Sequence, residues 1–164
     1  MEFLDVVDDG DNVVGRASRG ECHAKHLTHR SVMFFILDSG GRVLVNRRSQ
    51  GKEFFGGLWS IALGGHIPAG ESYDEAVARE ALEEAGLTSK PERVGSFRKR
   101  LPEESENVAV YAFRTDATPK LLEAEIERGE FMSLAEAEAK TKSGEFIPET
   151  AQLLPMLKAH LKGG

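Results

Sequence analysis

The sequence predicts a layered α/β fold, and three observations carry that reading. Runs rich in Val, Phe and Ile, such as Ser31 to Leu37, have the length and composition of buried strands. Ser72 with Glu75, and Ser133 with Glu136, are capping boxes that open helical patterns. Strand and helix signals are mixed along the chain, so sheet and helices should pack as layers on one core. No repeat, low-complexity tract or linker interrupts the pattern, and residues 1–164 are expected to form one domain.

In order, Phe3 to Val7 alternates weakly and is expected to be a strand. Asp8 to Asn12 is a turn, and Val13 to Gly15 begin the returning arm of a hairpin. Gly20 to His29 is expected to be a polar loop holding His23, His26 and His29. Ser31 to Leu37 is a buried strand, Ser39-Gly40-Gly41 a tight turn, and Arg42 to Arg47 the returning strand. Ser49 to Leu58 is a loop with paired Phe54-Phe55, and Trp59 to Leu63 a short strand in which Trp59 belongs to the core. Glu92 to Arg100 and Asn107 to Arg114 are strands on either side of an acidic loop, Leu101 to Glu106. The second has apolar residues on both faces, as in a strand covered on both sides. Asp116 to Leu122 is a loop, and Glu125 to Met132 is the last strand. A short helix follows Ser133 through Lys142, and a final helix has Pro148 in its first turn. Its stripe is Leu153, Leu154, Leu157 and Leu161, and Pro155 should kink or interrupt it.

Composition bounds the function. The chain is 40% hydrophobic and 29% charged, with no apolar run of membrane-spanning length and no basic-then-apolar leader at its start. Its single cysteine, Cys22, excludes an internal disulfide framework and fits a reducing compartment such as the cytoplasm. A formal net charge of −6 argues against broad binding of nucleic-acid polymers. It leaves room for a small anion held by local basic residues.

The most informative stretch is Gly65 to Leu87, GHIPAGESYDEAVAREALEEAGL. Turn formers Pro68, Ala69 and Gly70 lead into a helix capped by Ser72 and stopped at Gly86. At about 100° per residue, Glu80, Glu83 and Glu84 fall within one arc. Val77, Ala78, Ala81, Leu82 and Ala85 should pack on the core. The acids are poorly placed for a plain helix. Glu80 and Glu84 repel at i,i+4, and two acids sit in the last turn against the helix dipole. Three carboxylates beside a glycine loop with free carbonyls instead suit a hard cation that bridges to phosphates.

This stretch resembles the signature of the Nudix family: Gly, five residues, Glu, seven residues, Arg-Glu, an aliphatic residue, any residue, Glu-Glu, any residue, Gly, an aliphatic residue. The matching positions are Gly65, Glu71, Arg79, Glu80, Ala81, Glu83, Glu84, Gly86 and Leu87, with Ala81 smaller than the usual aliphatic residue. The resemblance implies an α/β/α sandwich with a mixed sheet. It also implies hydrolysis of a nucleoside diphosphate derivative with Mg²⁺ or Mn²⁺. Glu80, Glu83, Glu84 and the Gly65 carbonyl are then the expected metal ligands. Glu80 is a candidate to polarise water, Arg79 to orient carboxylates, and Glu71 to bridge through water or pair with Arg79. Glu106 is a candidate distal carboxylate. Arg48 and Lys52 are chosen for the diphosphate because cationic side chains bind phosphate, with His66 as a further contact. Phe54, Phe55 and Trp59 are candidates to stack on a base, with the core as the alternative assigned to Trp59.

Beyond the signature, the chain is similar to the isopentenyl-diphosphate isomerase-like branch of that family. The similarity covers the N-terminal hairpin, His29-Arg30, the segment RRSQGKEFFGGLW at 47–59, and Gly65-His66. Isomerases of that branch carry a cysteine just before the Gly-His pair, where this chain has Gly64. A second acid expected two residues after Glu106 is Val108. The branch also implies a second, transition-metal site from His23, His29 and His66 with Glu106, a donor set suited to Zn²⁺ or Mn²⁺. A hydrolase is the expected activity. An isomerase-like protein and a non-catalytic nucleotide- or phosphate-binding module are the alternatives.

Overall fold

The computed structural model describes residues 2–52 and 54–163. Glu53 of the 47–59 segment, and the expected domain's end residues Met1 and Gly164, lie outside the described residues. Strands β1 (Phe3–Val7) and β2 (Val13–Ser18) form the expected hairpin as a separate two-stranded sheet. The expected polar loop at Gly20 to His29 is a correction. Its first part is a short helix, α1 (Arg19–Ala24), whose first turn is capped by Ser18 Oγ accepting from the Glu21 amide. His29 is not in a loop at all but opens β3 (His29–Leu37), where it is fully buried.

β3 is the hub of a seven-stranded mixed sheet. It runs parallel to β8 (Ser105–Arg114) and antiparallel to β6 (Leu63–His66). β4 (Val43–Arg48) joins it and pairs in turn with β5 (Trp59–Ser60) and β9 (Ile126–Met132). β7 (Glu92–Arg100) pairs with β8 at the far side. The expected single strand at Trp59 to Leu63 is thus two strands, β5 and β6, on different neighbours.

Strand alternation builds the layers. Val32, Phe34 and Ile36 face α2 (Tyr73–Ala85), whose Ala76, Val77, Ala81 and Ala85 are buried against them. Met33, Phe35 and Leu37 face the opposite way, onto α3 (Leu134–Thr141) and α4 (Thr150–Gly163) through Ala137, Leu153 and Leu157. The result is the α/β/α sandwich with a mixed sheet. In α2 the capping box at Ser72 and the left-handed Gly86 stop are both present. Two of its expected core residues are not in the core: Ala78 and Leu82 are exposed, and Ala76 and Glu84 are buried instead. α4 runs unbroken through Pro155, contrary to expectation. Pro155 lies on the exposed face, as does Ala151, whose carbonyl loses its helical donor, while Leu153 and Leu157 anchor the other face.

Candidate active site

α2, β6, the 49–58 loop and the ends of β7 to β9 surround one cleft of about 540 Å³. Gly65, His66, Arg48, Lys52, Arg79, Glu80, Glu83, Glu84 and Glu106 all line it, and so do Phe54 and Phe55. Trp59 lies elsewhere, packed against the second core cluster beneath the Lys140 ammonium. The cleft holds two sets of carboxylates with opposite character.

The first set stands on α2. Arg79 is its clamp. The guanidinium donates to both oxygens of Glu71, through Nε at 3.0 Å and Nη2 at 2.9 Å. Its Nη1 reaches Glu80 at 2.9 Å and Glu83 at 3.2 Å. Glu71 therefore pairs with Arg79. Glu80 lies directly against Gly65, which leaves no room there for a side chain. Glu84 is turned inward, and its Oε2 is buried without a hydrogen-bond partner. Burial, with the charges of Glu80 and Glu125 added, pushes the Glu84 carboxyl up to about 9. Burial likewise raises Glu80, against the pull of Arg79.

Glu125, just before β9, belongs to this set and was missed in the sequence, where it read as a strand start. It pairs with Lys52 and lines the cleft. Arg48 donates from Nη2 to the Phe54 carbonyl at 3.0 Å, and its buried Nε has no partner.

The second set lies where β3, β6, β7 and β8 meet. Parallel pairing sets His29 beside Glu106, and antiparallel pairing sets His66 beside Ser31. The expected acidic loop is corrected here: β8 begins at Ser105, and Glu106 is inside the strand and buried. Its Oε2 lies 3.1 Å from His29 Nε2 and 3.0 Å from His66 Nε2, and its Oε1 accepts from Ser31 at 2.9 Å. A further acid reaches the cluster from two residues upstream of Glu106. Glu104 is buried, 3.7 Å from His66 Nε2 and 3.8 Å from His23 Nε2.

Lys99 enters the same cluster from β7 and contacts Glu104, Glu106 and Glu149. Burial alone would lower Lys99 and raise Glu106. The mutual charges and hydrogen bonds win, so Lys99 is held above its ordinary range and Glu106 well below. Hydrogen bonds to Glu104 and Glu106 raise His66 to about 9 in spite of its burial. His23, His29 and His66 offer ligand atoms within 4.8 Å of one another, as do His66, Glu104 and Glu106, so such groups could hold a metal ion.

Sandwich, acidic helix and cleft together define a phosphate-anhydride hydrolase of the Nudix type. A family profile described as the NUDIX domain matches residues 27–154, and the chain belongs to the Nudix family. An uncharacterized Nudix hydrolase of Streptomyces coelicolor is 35% identical over 161 residues, covering 96% of this chain and 89% of the relative. The crystal structure of DR0079 from Deinococcus radiodurans superposes with a TM-score of 0.79 at 30% identity, covering 94% of this chain and 98% of that one. An isopentenyl-diphosphate Delta-isomerase of Serratia proteamaculans is 38% identical over 96 residues, 58% of this chain and 54% of its own length.

Proposed function

We propose that this chain is a divalent-metal-dependent hydrolase of the diphosphate linkage in a nucleoside diphosphate derivative or a related diphosphate compound. The observation that carries the reading is Glu84. A buried carboxylate oxygen without a donor, beside Glu80 and Glu125, calls for a cation. Its surroundings are oxygen donors, which suit Mg²⁺ or Mn²⁺. Glu80, Glu83 and Glu84, with the Gly65 carbonyl, would hold the ion. When bound, such an ion polarises phosphoryl oxygens and acidifies water.

The chain's own residues do the remaining work. Arg48 and Lys52 grip the diphosphate oxygens, and His66 donates to one of them. Lys52 leaves Glu125 for the substrate, and Glu125 then adds its charge to the acidic wall. Arg79 keeps Glu80 at its angle through the shared grip on Glu71. Glu80 takes the proton from the attacking water. Glu106 sets the orientation of His66.

An isomerase-like reading has the Serratia relative in its favour and the local backbone against it. A β-carbon at Gly64 would fall 2.3 Å from the Val32 carbonyl oxygen, so a cysteine there requires the strand to shift. Cys22 is buried under the hairpin with Leu4 and Ala17. The net charge of −6 favours a small-molecule substrate over a nucleic-acid polymer. Among the described residues no helix is long and apolar enough to cross a membrane. We place the activity in one domain, 1–164, in the cytoplasm, where its lone thiol stays reduced.

The test is product release from a panel of nucleoside diphosphates, nucleotide sugars, dinucleotides, thiamine diphosphate and isopentenyl diphosphate. Mg²⁺-dependent cleavage of at least one compound, abolished by chelator, is expected. Binding without cleavage of any compound, with Mg²⁺ or Mn²⁺, would make the chain a binding module.

A further inference from the structure

We infer that Lys99 is a positioning residue of the histidine–glutamate cluster. With Ser31 it pins one oxygen each of Glu104 and Glu106, so that the other oxygens converge with His23, His29 and His66 on a place for a divalent ion. Strand alternation aims Lys99 there. Its neighbours Arg98 and Arg100 turn to the hairpin, where both reach Asp9. Lys99 turns the other way and is buried.

Each of the two carboxylates is divided between two sets of neighbours. Glu106 Oε1 accepts from Ser31 Oγ at 2.9 Å and lies 3.2 Å from Lys99 Nζ. Its Oε2 lies 3.1 Å from His29 Nε2 and 3.0 Å from His66 Nε2. Glu104 Oε2 pairs with Lys99, whereas its Oε1 faces His66 Nε2 at 3.7 Å and His23 Nε2 at 3.8 Å. Lys99 is fixed in turn by Glu149 Oε2 at 2.8 Å. An ammonium has three protons to donate, and three acids surround this one.

The imidazole side calls for a cation. His29 Nδ1 lies 3.0 Å from the Leu27 carbonyl, which can only accept, so Nδ1 carries the hydrogen. Neutral His29 then turns a lone pair toward Glu106 Oε2, and two acceptors face each other at 3.1 Å. A cation between them satisfies both. Holding one imidazole nitrogen by a carbonyl is how a protein presents the other to a metal. Imidazoles with carboxylates suit a divalent transition metal, and the ligand atoms within each group lie within 4.8 Å of one another. Charge agrees. Three buried acids and one ammonium leave two negative charges once the imidazoles are neutral, as ligation requires, and one divalent ion balances them. His66 faces the cluster through Nε2, so its Nδ1 stays available to the diphosphate.

This inference concerns ligand geometry and does not depend on the hydrolytic reading, so its test needs no turnover. The parent is Glu80→Gln/Glu84→Gln protein, in which the helix acids do not contribute. It is titrated with Co²⁺, whose visible absorption reports both occupancy and coordination geometry. The parent should bind one Co²⁺, and His66→Ala should abolish that binding. Adding Lys99→Met/Glu149→Gln removes one charge of each sign, so the charge of the cluster is unchanged. Binding should nonetheless weaken by about 10- to 100-fold, the usual cost of losing a group that orients metal ligands, and the absorption bands should shift. Adding Ser31→Ala instead frees the same Glu106 oxygen by a smaller change and should weaken binding by about 10-fold. It decides the matter if the double change does not fold. A parent that binds no Co²⁺ through His66 would overturn the inference. So would the parent's affinity and spectrum in the folded Lys99→Met/Glu149→Gln protein or in Ser31→Ala.

Discussion

A β-carbon placed on Gly65 would lie 2.5 Å from the carboxylate carbon of Glu80. Backbone and acid are thus in direct contact, and any side chain at 65 must push Glu80 away. A displacement of about 1 Å at a reacting group can cost about 100-fold in rate. Gly65→Ala should therefore lose activity on that scale while keeping its far-UV circular dichroism. Near wild-type turnover would show that the position of Glu80 does not matter.

Arg79 is argued to act by holding carboxylates, through two bonds to Glu71 and one each to Glu80 and Glu83. Lysine keeps the charge but not the planar fork. Arg79→Lys should lower kcat and the apparent Mg²⁺ affinity, together by about 10- to 100-fold, the usual cost of removing a group that orients metal ligands. An unchanged Mg²⁺ dependence would confine Arg79 to fold stability.

Arg48 and Lys52 should serve substrate binding. Arg48→Ala and Lys52→Ala are expected to raise KM more than they lower kcat, if their grip is equal in ground and transition states. Steady-state kinetics decide this. A fall in kcat alone would move them to the transition state.

Much of the site was legible because its chemistry is local. The acids of α2 repeat at helical spacing on one element, and the Ser72 cap fixes where that element begins. The rest depends on partners remote in sequence. LPEESEN looks like a solvated acidic loop until Lys99, His29 and His66 arrive from β7, β3 and β6 to pair with Glu104 and Glu106. A helical wheel placed the three acids on one arc but not the edge of the arc that faces the core. Glu84 consequently proved buried and Leu82 exposed. The short helix α1 did have a signal, Ser18 followed by Glu21, but the histidine-rich composition after it read as loop. Glu125 had none, because its neighbours Lys52 and Glu84 come from other elements.

The raised Glu84 carboxyl makes stability depend on pH when metal is absent. Its folded value of about 9 exceeds the ordinary 4.5, so the folded chain binds the proton more tightly. That contribution is fully present below about pH 4.5 and is lost as pH rises through about 9, at up to about 1.4 kcal/mol per pH unit. In chelator, Glu84→Gln should therefore melt above the wild type at alkaline pH, with the gap closing toward acid pH. Mg²⁺ should stabilise the wild type and not the variant. Urea titrations across this range with and without Mg²⁺ measure both. A gap independent of pH would show that Glu84 does not titrate between the two values.

The central claim is that the acids of α2 hold the ion on which hydrolysis depends. The direct measurement is kcat with saturating Mg²⁺ for Glu80→Gln and Glu84→Gln, on whichever panel compound the wild type cleaves. Loss of several kcal/mol of transition-state stabilisation predicts a fall of about 100-fold or more in each, in folded protein. Wild-type kcat in both variants would contradict the account.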